Sequence, residues 1–174
     1  PRPDRIPLSL AQTRMWFLNR FDPDSAAYNI PAAVTLTGDL EIAALRAAIG
    51  DVIERHESLR TVYPDSPSGP HQVILPADQA IPELDIVAST PAEAPALVGE
   101  FLGRSFDVTA AVPVRIRLIE LGPTEHVLAL VVHHVVADGQ SMAPFVADLA
   151  VAYAARVHGE RALFRPMPVQ YADL

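Results

Sequence analysis

The chain has 174 residues, half of them hydrophobic and a fifth charged, which is enough apolar content for one sizeable core and too much for a disordered segment. A formal net charge of -8 with no basic run argues against nucleic acid or an anionic membrane surface as a partner. Zero cysteines exclude disulfides, thiolate metal sites and a cysteine nucleophile, and the longest apolar run, "VLALVV", is far short of the ~20 residues of a membrane-spanning helix. The N-terminal "PRPDRIPLS" lacks a signal-peptide pattern, so a single domain or lobe in the cytoplasm is the expectation.

In "LSLAQTRMWFLNRF" (8–21), Ala11, Met15 and Leu18 recur at helical spacing after Ser9, a suitable helix cap. "AAVTLTG" (32–38) alternates like a strand. The stretch after it puts Ile42, Leu45, Ile49, Val52 and His56 on one helical face, with Asp39 as candidate cap. "LRTVYP" and "HQVIL" read as short strands around the loop "DSPSGP"; a strand in "ELDIVA" and a helix weakened by Pro95 and Gly99 follow. Residues 112–121 and 125–134 read as paired strands, the second apolar on both faces and therefore central. A last helix carries Pro144 in its first turn, Phe145, Leu149, Ala152 and Tyr153 on one stripe, and Gly159 as its stop. Together these elements make an α/β chain.

The stretch "VVHHVVADGQSM" (131–142) concentrates titratable groups at the end of that central strand. Side chains alternate along a strand, so His133 and His134 must point to opposite faces and only one can serve a given site. The same alternation argues against a chelating pair, and no metal is expected. What is left is one imidazole at a strand end, suited to proton transfer or positioning, close to a helix start that Ser141 would cap. Taken on spacing alone, the favoured reading is a hydrogen-bonded structural histidine followed by an ordinary Asp-Gly turn.

"HHVVADG" resembles the HHxxxDG motif of the chloramphenicol-acetyltransferase-like superfamily, most closely the condensation domains of nonribosomal peptide synthetases. "LSLAQTRMWFL", "RHESLRTVY" and "VQYADL" resemble three further motifs of that family, in the same order and spacing. The resemblance implies a mixed β-sheet with helices packed on it, an α+β two-layer sandwich, with residues 1–174 forming the N-terminal lobe of a domain whose C-terminal lobe is absent. It implies amide-bond formation between a donor acyl or peptidyl thioester and an acceptor aminoacyl thioester. Peptidyl and aminoacyl carrier proteins would present both on their phosphopantetheine arms, so no cofactor is expected in this chain; adjacent synthetase domains are further partners. An apolar or basic patch, around Arg14 or Arg20, is the expected docking surface.

Carried over residue by residue, His134 is the tunnel-facing histidine that accepts from or orients the attacking amine, and His133 faces away into packing. The Gly139 N–H would bind the thioester carbonyl or oxyanion. Asp138 would support the site through a buried pair with Arg60. Arg55, Arg14 and Gln12 would stabilise the fold, and His56 would be a satisfied core histidine. Arg115 and Arg117 share a strand face that is either solvated or on the channel side. Gln140 stands where many members have tryptophan, and the motif variants look most like domains joining two L-residues. The competing readings are a related O- or N-acyltransferase, or an isolated lobe that only binds carrier proteins.

Overall fold

A computed structural model describes residues 2–173. The chain runs through α1 (Leu10–Phe21), β1 (Asn29–Thr37), α2 (Ile42–Arg55), the short β2 (Thr61–Val62) and β3 (Val73–Ile74), α3 (Ala77–Ala80), β4 (Leu84–Ala88), α4 (Ala94–Leu102), β5 (Val114–Gly122), β6 (Glu125–His133) and α5 (Met142–Val157). β1, β6, β5 and β4 form one mixed sheet in that order, with β4 parallel to β5 and the other pairs antiparallel, and β2 pairs with β3 separately. The parallel pair needs a crossover, which α4 supplies.

Both faces of the sheet are covered, which is why β6 is apolar on both faces from Val127 to Val132. Leu128 and Leu130 face a cavity shared with Leu45 of α2 and with Val146 and Leu149 of α5. On the opposite face Ala129 lies across from Arg117, whose guanidinium stacks 4.7 Å above Phe101 of α4 and pairs with Asp85 at 2.6 Å. Arg115, two residues before it, lies 4.0 Å above Phe106. α4 thus roofs the buried Arg117, while Arg115 is part-buried and borders a cavity of about 460 Å³ shared with Arg104 and Phe106.

Two features of α1 differ from the apolar pattern in the sequence. Ser9 does cap it, in a reciprocal box with Gln12, but the buried stripe is Gln12, Trp16 and Asn19, while Ala11 is exposed. Each polar member has a partner: Gln12 Nε2 lies 3.3 Å from both Tyr63 Oη and Gln72 Oε1, Trp16 Nε1 donates to the Tyr63 carbonyl at 2.8 Å, and Asn19 Nδ2 donates to the Phe106 carbonyl at 2.8 Å. Satisfied hydrogen bonds remove the cost of burying them, so a polar face can be the inner face. α2 is preceded by Glu41 rather than Asp39. Glu41 makes no side-chain cap, and its N–H donates to Tyr153 Oη at 3.0 Å.

His56 ends α2 instead of joining its core stripe. It is part-buried, with Nε2 2.7 Å from Asp148 Oδ2, an oxygen that Arg55 also binds at 2.9 Å. The strap after α5 returns along this corner: Arg55 donates to the Arg165 carbonyl at 2.7 Å and Gln170 Nε2 donates to the Arg55 carbonyl at 2.9 Å. Arg2 then joins Glu57 and Asp173, each at 2.7 Å, and the Arg2 bond to Asp173, followed by the Gln170 N–H, pulls the Asp173 carboxyl down to about 2.

Candidate active site at the end of strand β6

β6 stops at His133 because the chain turns away from the sheet there. The His133 N–H still donates to Pro113 at 3.0 Å, but the His134 N–H donates to Tyr28, just before β1, at 2.8 Å, and the Val136 N–H closes a turn on His133 at 3.1 Å. The strand thus ends one residue earlier than its apolar pattern predicts, yet the two rings still part. His133 is 2% exposed, packed between Tyr28 and Phe106 with ring centroids 6.3 and 6.0 Å away. His134 is exposed, and its ring takes no part in the side-chain hydrogen bonds among the described residues.

Burial, with a smaller contribution from neighbouring His134, pushes the His133 imidazole down to about 4. Its Nδ1 accepts the Val135 N–H at 3.1 Å, so the ring is neutral with its proton on Nε2. His133 is a structural pin for the turn, and His134 is what the turn presents.

Asp138 and Arg60 are not brought together. Asp138 is exposed and caps its own loop, a 3₁₀ turn at Gly139–Ser141: its carboxylate accepts the Ser141 N–H at 2.9 Å and the Ser141 hydroxyl at 2.6 Å. Those two bonds, the hydroxyl first, hold the Asp138 carboxyl below the usual carboxylate range. Ser141 therefore completes the Asp138 cap and makes no side-chain cap on α5 itself. Arg60 closes the 3₁₀ turn Glu57–Arg60, where its guanidinium is directed to β3: Nη1 donates to the Leu75 carbonyl at 2.6 Å and Nη2 lies 3.6 Å from Glu57. Asp138 Oδ1 is engaged within its own turn and both terminal nitrogens of Arg60 are engaged at the neighbouring hairpin and Glu57, while Arg60 Nε is buried without a partner, so the two residues make no pair in this structure.

At Gly139 an added Cβ would meet nothing within 4 Å, and the residue is not among the glycines at positive φ. Neither backbone strain nor internal packing calls for glycine there. The residue is exposed, and its amide makes no hydrogen bond to another backbone carbonyl among the described residues.

Tyr63 is a site residue that sequence reasoning missed. Its hydroxyl, next to Gln12, lies 3.4 Å from the Val135 carbonyl, so α1 is tied to the histidine turn through one buried phenol. Burial raises the Tyr63 phenol well above its ordinary value, keeping it protonated. The available signal was a tyrosine ending a short strand that already had its apolar quota, a position where a buried hydroxyl needs a partner. Beside the turn lies an apolar cavity of about 260 Å³, bordered by Val132, Val136, Met142 and Phe145. No group of His, Asp and Glu suited to holding a metal ion occurs among the described residues, and no helix among them is long and apolar enough to cross a membrane.

The family model for the condensation domain matches residues 3–174. The chain is 47% identical over 172 residues to a dimodular nonribosomal peptide synthase of Bacillus subtilis (strain 168), and 44% identical over 175 residues to an isonitrile lipopeptide synthase of Mycobacterium tuberculosis (strain ATCC 25618 / H37Rv). Each match covers 99% of this chain and 7% of the relative. Among solved structures, the X-domain from teicoplanin biosynthesis superposes with a TM-score of 0.93 at 40% identity over 99% of this chain and 37% of that one. The starter condensation domain of the rhizomide synthetase RzmA shares the fold, with a TM-score of 0.85 at 24% identity over 94% of this chain and 40% of that one. With the family model matching almost the whole chain and relatives above 40% identity covering 99% of it, the chain belongs to the condensation-domain family.

Proposed function

We propose that this chain is the N-terminal lobe of a condensation domain that joins a donor acyl or peptidyl thioester to an acceptor aminoacyl thioester, its partners being carrier proteins that present both substrates. The observation that carries this reading is the split between the histidines: His133 is neutral, buried and hydrogen-bonded, while His134 beside it is exposed with a free ring. In the reaction the acceptor amine attacks the thioester carbonyl, a C–N bond forms, the C–S bond breaks and the carrier thiolate leaves. The amine proton passes to His134 Nε2 and on to that thiolate, or His134 holds the amine and stabilises its developing charge. The Gly139 amide, which donates to no backbone carbonyl among the described residues, serves as donor to the oxyanion. The motif variants favour two L-residues as the groups joined.

Support for carrier docking comes from α1, whose outer side exposes Leu10, Phe17 and Phe21 beside Arg14 and Arg20, an apolar patch with positive charge on an otherwise acidic chain. The test is to incubate donor- and acceptor-loaded carriers with the full-length synthetase and read the intact mass of the acceptor carrier. The condensed mass is expected with the wild type and lost with His134→Ala; product from His134→Ala at the normal rate overturns the assignment. A docking-only reading has one observation in its favour: a solved complex of the X-domain with OxyB, matched here at 40% identity and a TM-score of 0.92. It predicts carrier binding without any condensed product from the wild type.

A further inference from the structure

We infer that the cavity beside the histidine turn is a subsite for an apolar side chain of one of the two acyl groups joined at His134, an inference that rests on the function proposed above. The cavity is built from both sides of that residue: Val132 precedes His134 on β6, Val136 and Ala137 follow it, and Met142 and Phe145 from the first turns of α5 form the facing wall. A second cavity beside the turn, about 220 Å³, is bordered by Tyr28 and His133 and by the polar Asn19, Asp22 and Ser25. The larger apolar cavity, about 350 Å³, is centred on Leu128 and Leu130, roughly 14–20 Å back along the strand at ~3.4 Å per residue.

The chemistry of the walls selects the occupant. Apart from Val132, Val136, Ala137, Met142 and Phe145, the lining includes polar groups, and among the described residues all of these but the Ser58 hydroxyl are spent on protein partners, with Tyr171 Oη 3.2 Å from Ser9 Oγ. His56 Nε2 is held by Asp148 at 2.7 Å, Ser141 Oγ by Asp138 at 2.6 Å, and Gln170 Nε2 by the Arg55 carbonyl at 2.9 Å. A charged or amide side chain entering it would lose its water and find little to replace it. Size points the same way, since about 260 Å³ is below the ~300–1,000 Å³ of pockets that enclose a whole ligand, and suits a single side chain. Met142 is half-buried on the wall and unbranched, so it sets the depth without fixing one shape.

The test uses the full-length synthetase and two series of carrier-bound substrates. In one series the donor is alanyl, leucyl or 2-aminooctanoyl with a fixed acceptor; in the other the acceptor varies with a fixed donor. Met142→Phe should lower the leucyl-to-alanyl ratio of kcat/KM by roughly tenfold or more, and Met142→Ala should raise the 2-aminooctanoyl-to-leucyl ratio by a similar factor. A shift in the donor series alone assigns the cavity to the donor, in the acceptor series alone to the acceptor, and in both to a space the two share. Each ratio is taken within one preparation, so partial loss of folded enzyme cancels, and if Met142→Phe does not fold, Met142→Ala reads the same wall in the opposite direction. His134-dependent product with neither ratio moving more than about twofold overturns the subsite while leaving the proposed function standing. Absence of product from the wild type overturns both.

Discussion

The hydroxyl of Tyr63 lies 3.4 Å from the carbonyl oxygen of Val135, and the same phenol neighbours Gln12 on α1 at 3.3 Å. Through this link the opening helix and the histidine turn share one buried hydrogen-bond network, with Gln72 as its third polar member.

Tyr63→Phe removes only the hydroxyl. Because the contact to Val135 is long, the stability lost should be about 1 kcal/mol, the usual net value of one hydrogen bond. The turn that presents His134 loses an anchor, and a small misplacement of a reacting group is costly. Condensation should therefore slow by roughly tenfold, far more than the stability change implies. Denaturant unfolding and the carrier mass assay on the same variant separate the two effects, and an unchanged rate would show that the network is purely structural.

The neutral His133 makes the fold acid-sensitive in a defined window. Its pKa is about 4 when folded against 6.5 as the ordinary value, so between these pH values the unfolded chain binds the proton and the folded chain does not. Stability is fully present above pH 6.5 and is lost as pH falls towards 4, with an upper limit on the order of 3 kcal/mol from this residue. His133→Phe keeps a ring between Tyr28 and Phe106 but leaves the Val135 N–H without its acceptor, which costs about 1–3 kcal/mol at pH 7. The variant should be less stable than wild type at pH 7 and close to it at pH 4.5. Denaturant midpoints at the two pH values check this; parallel pH profiles would show that His133 is not the group responsible.

His134 should behave in the opposite way. Its ring is exposed and unbonded, so His134→Ala should change stability by no more than about 0.5 kcal/mol. Loss of a positioned proton acceptor should nonetheless reduce condensation by about a hundredfold or more. Thermal unfolding beside the carrier assay tests the pair of outcomes, and a large stability loss would mean that the ring packs against something the described residues do not include.

The parts of this molecule that follow from alternation and apolar period were legible in the sequence. Opposite faces for His133 and His134 come from the strand repeat alone, and the covered position of β6 from its two apolar faces. α1 was placed correctly but rotated, because Gln12 and Asn19 are buried by hydrogen bonds to Tyr63, Gln72 and Phe106 that no periodicity encodes. The partner of Asp138, not its supporting role, was misplaced for a related reason. An acid near a glycine can pair with a distant arginine or cap its own turn, and only the local geometry of Ser141 decides between them. His56 fell off the α2 core stripe because the helix ends before it and Asp148 of α5 holds it at the edge.

Since Asp138 and Arg60 satisfy different partners, their substitutions should be independent. Asp138→Ala frees Ser141 and loosens the start of α5, lowering Tm by a few degrees at most, as expected for loss of one exposed cap. Arg60→Ala releases the Leu75 carbonyl and should loosen β3 without touching the histidine turn. A pair joined by a buried salt bridge would show strong coupling in a double-mutant cycle, because breaking it strands a charge. Here the double variant should equal the sum of the single ones within about 0.5 kcal/mol, the range for sites without shared partners. Urea unfolding of the two single variants and the double variant measures this directly. Coupling well above that range would place Asp138 against Arg60 in the folded protein and would return the aspartate to a buried supporting role.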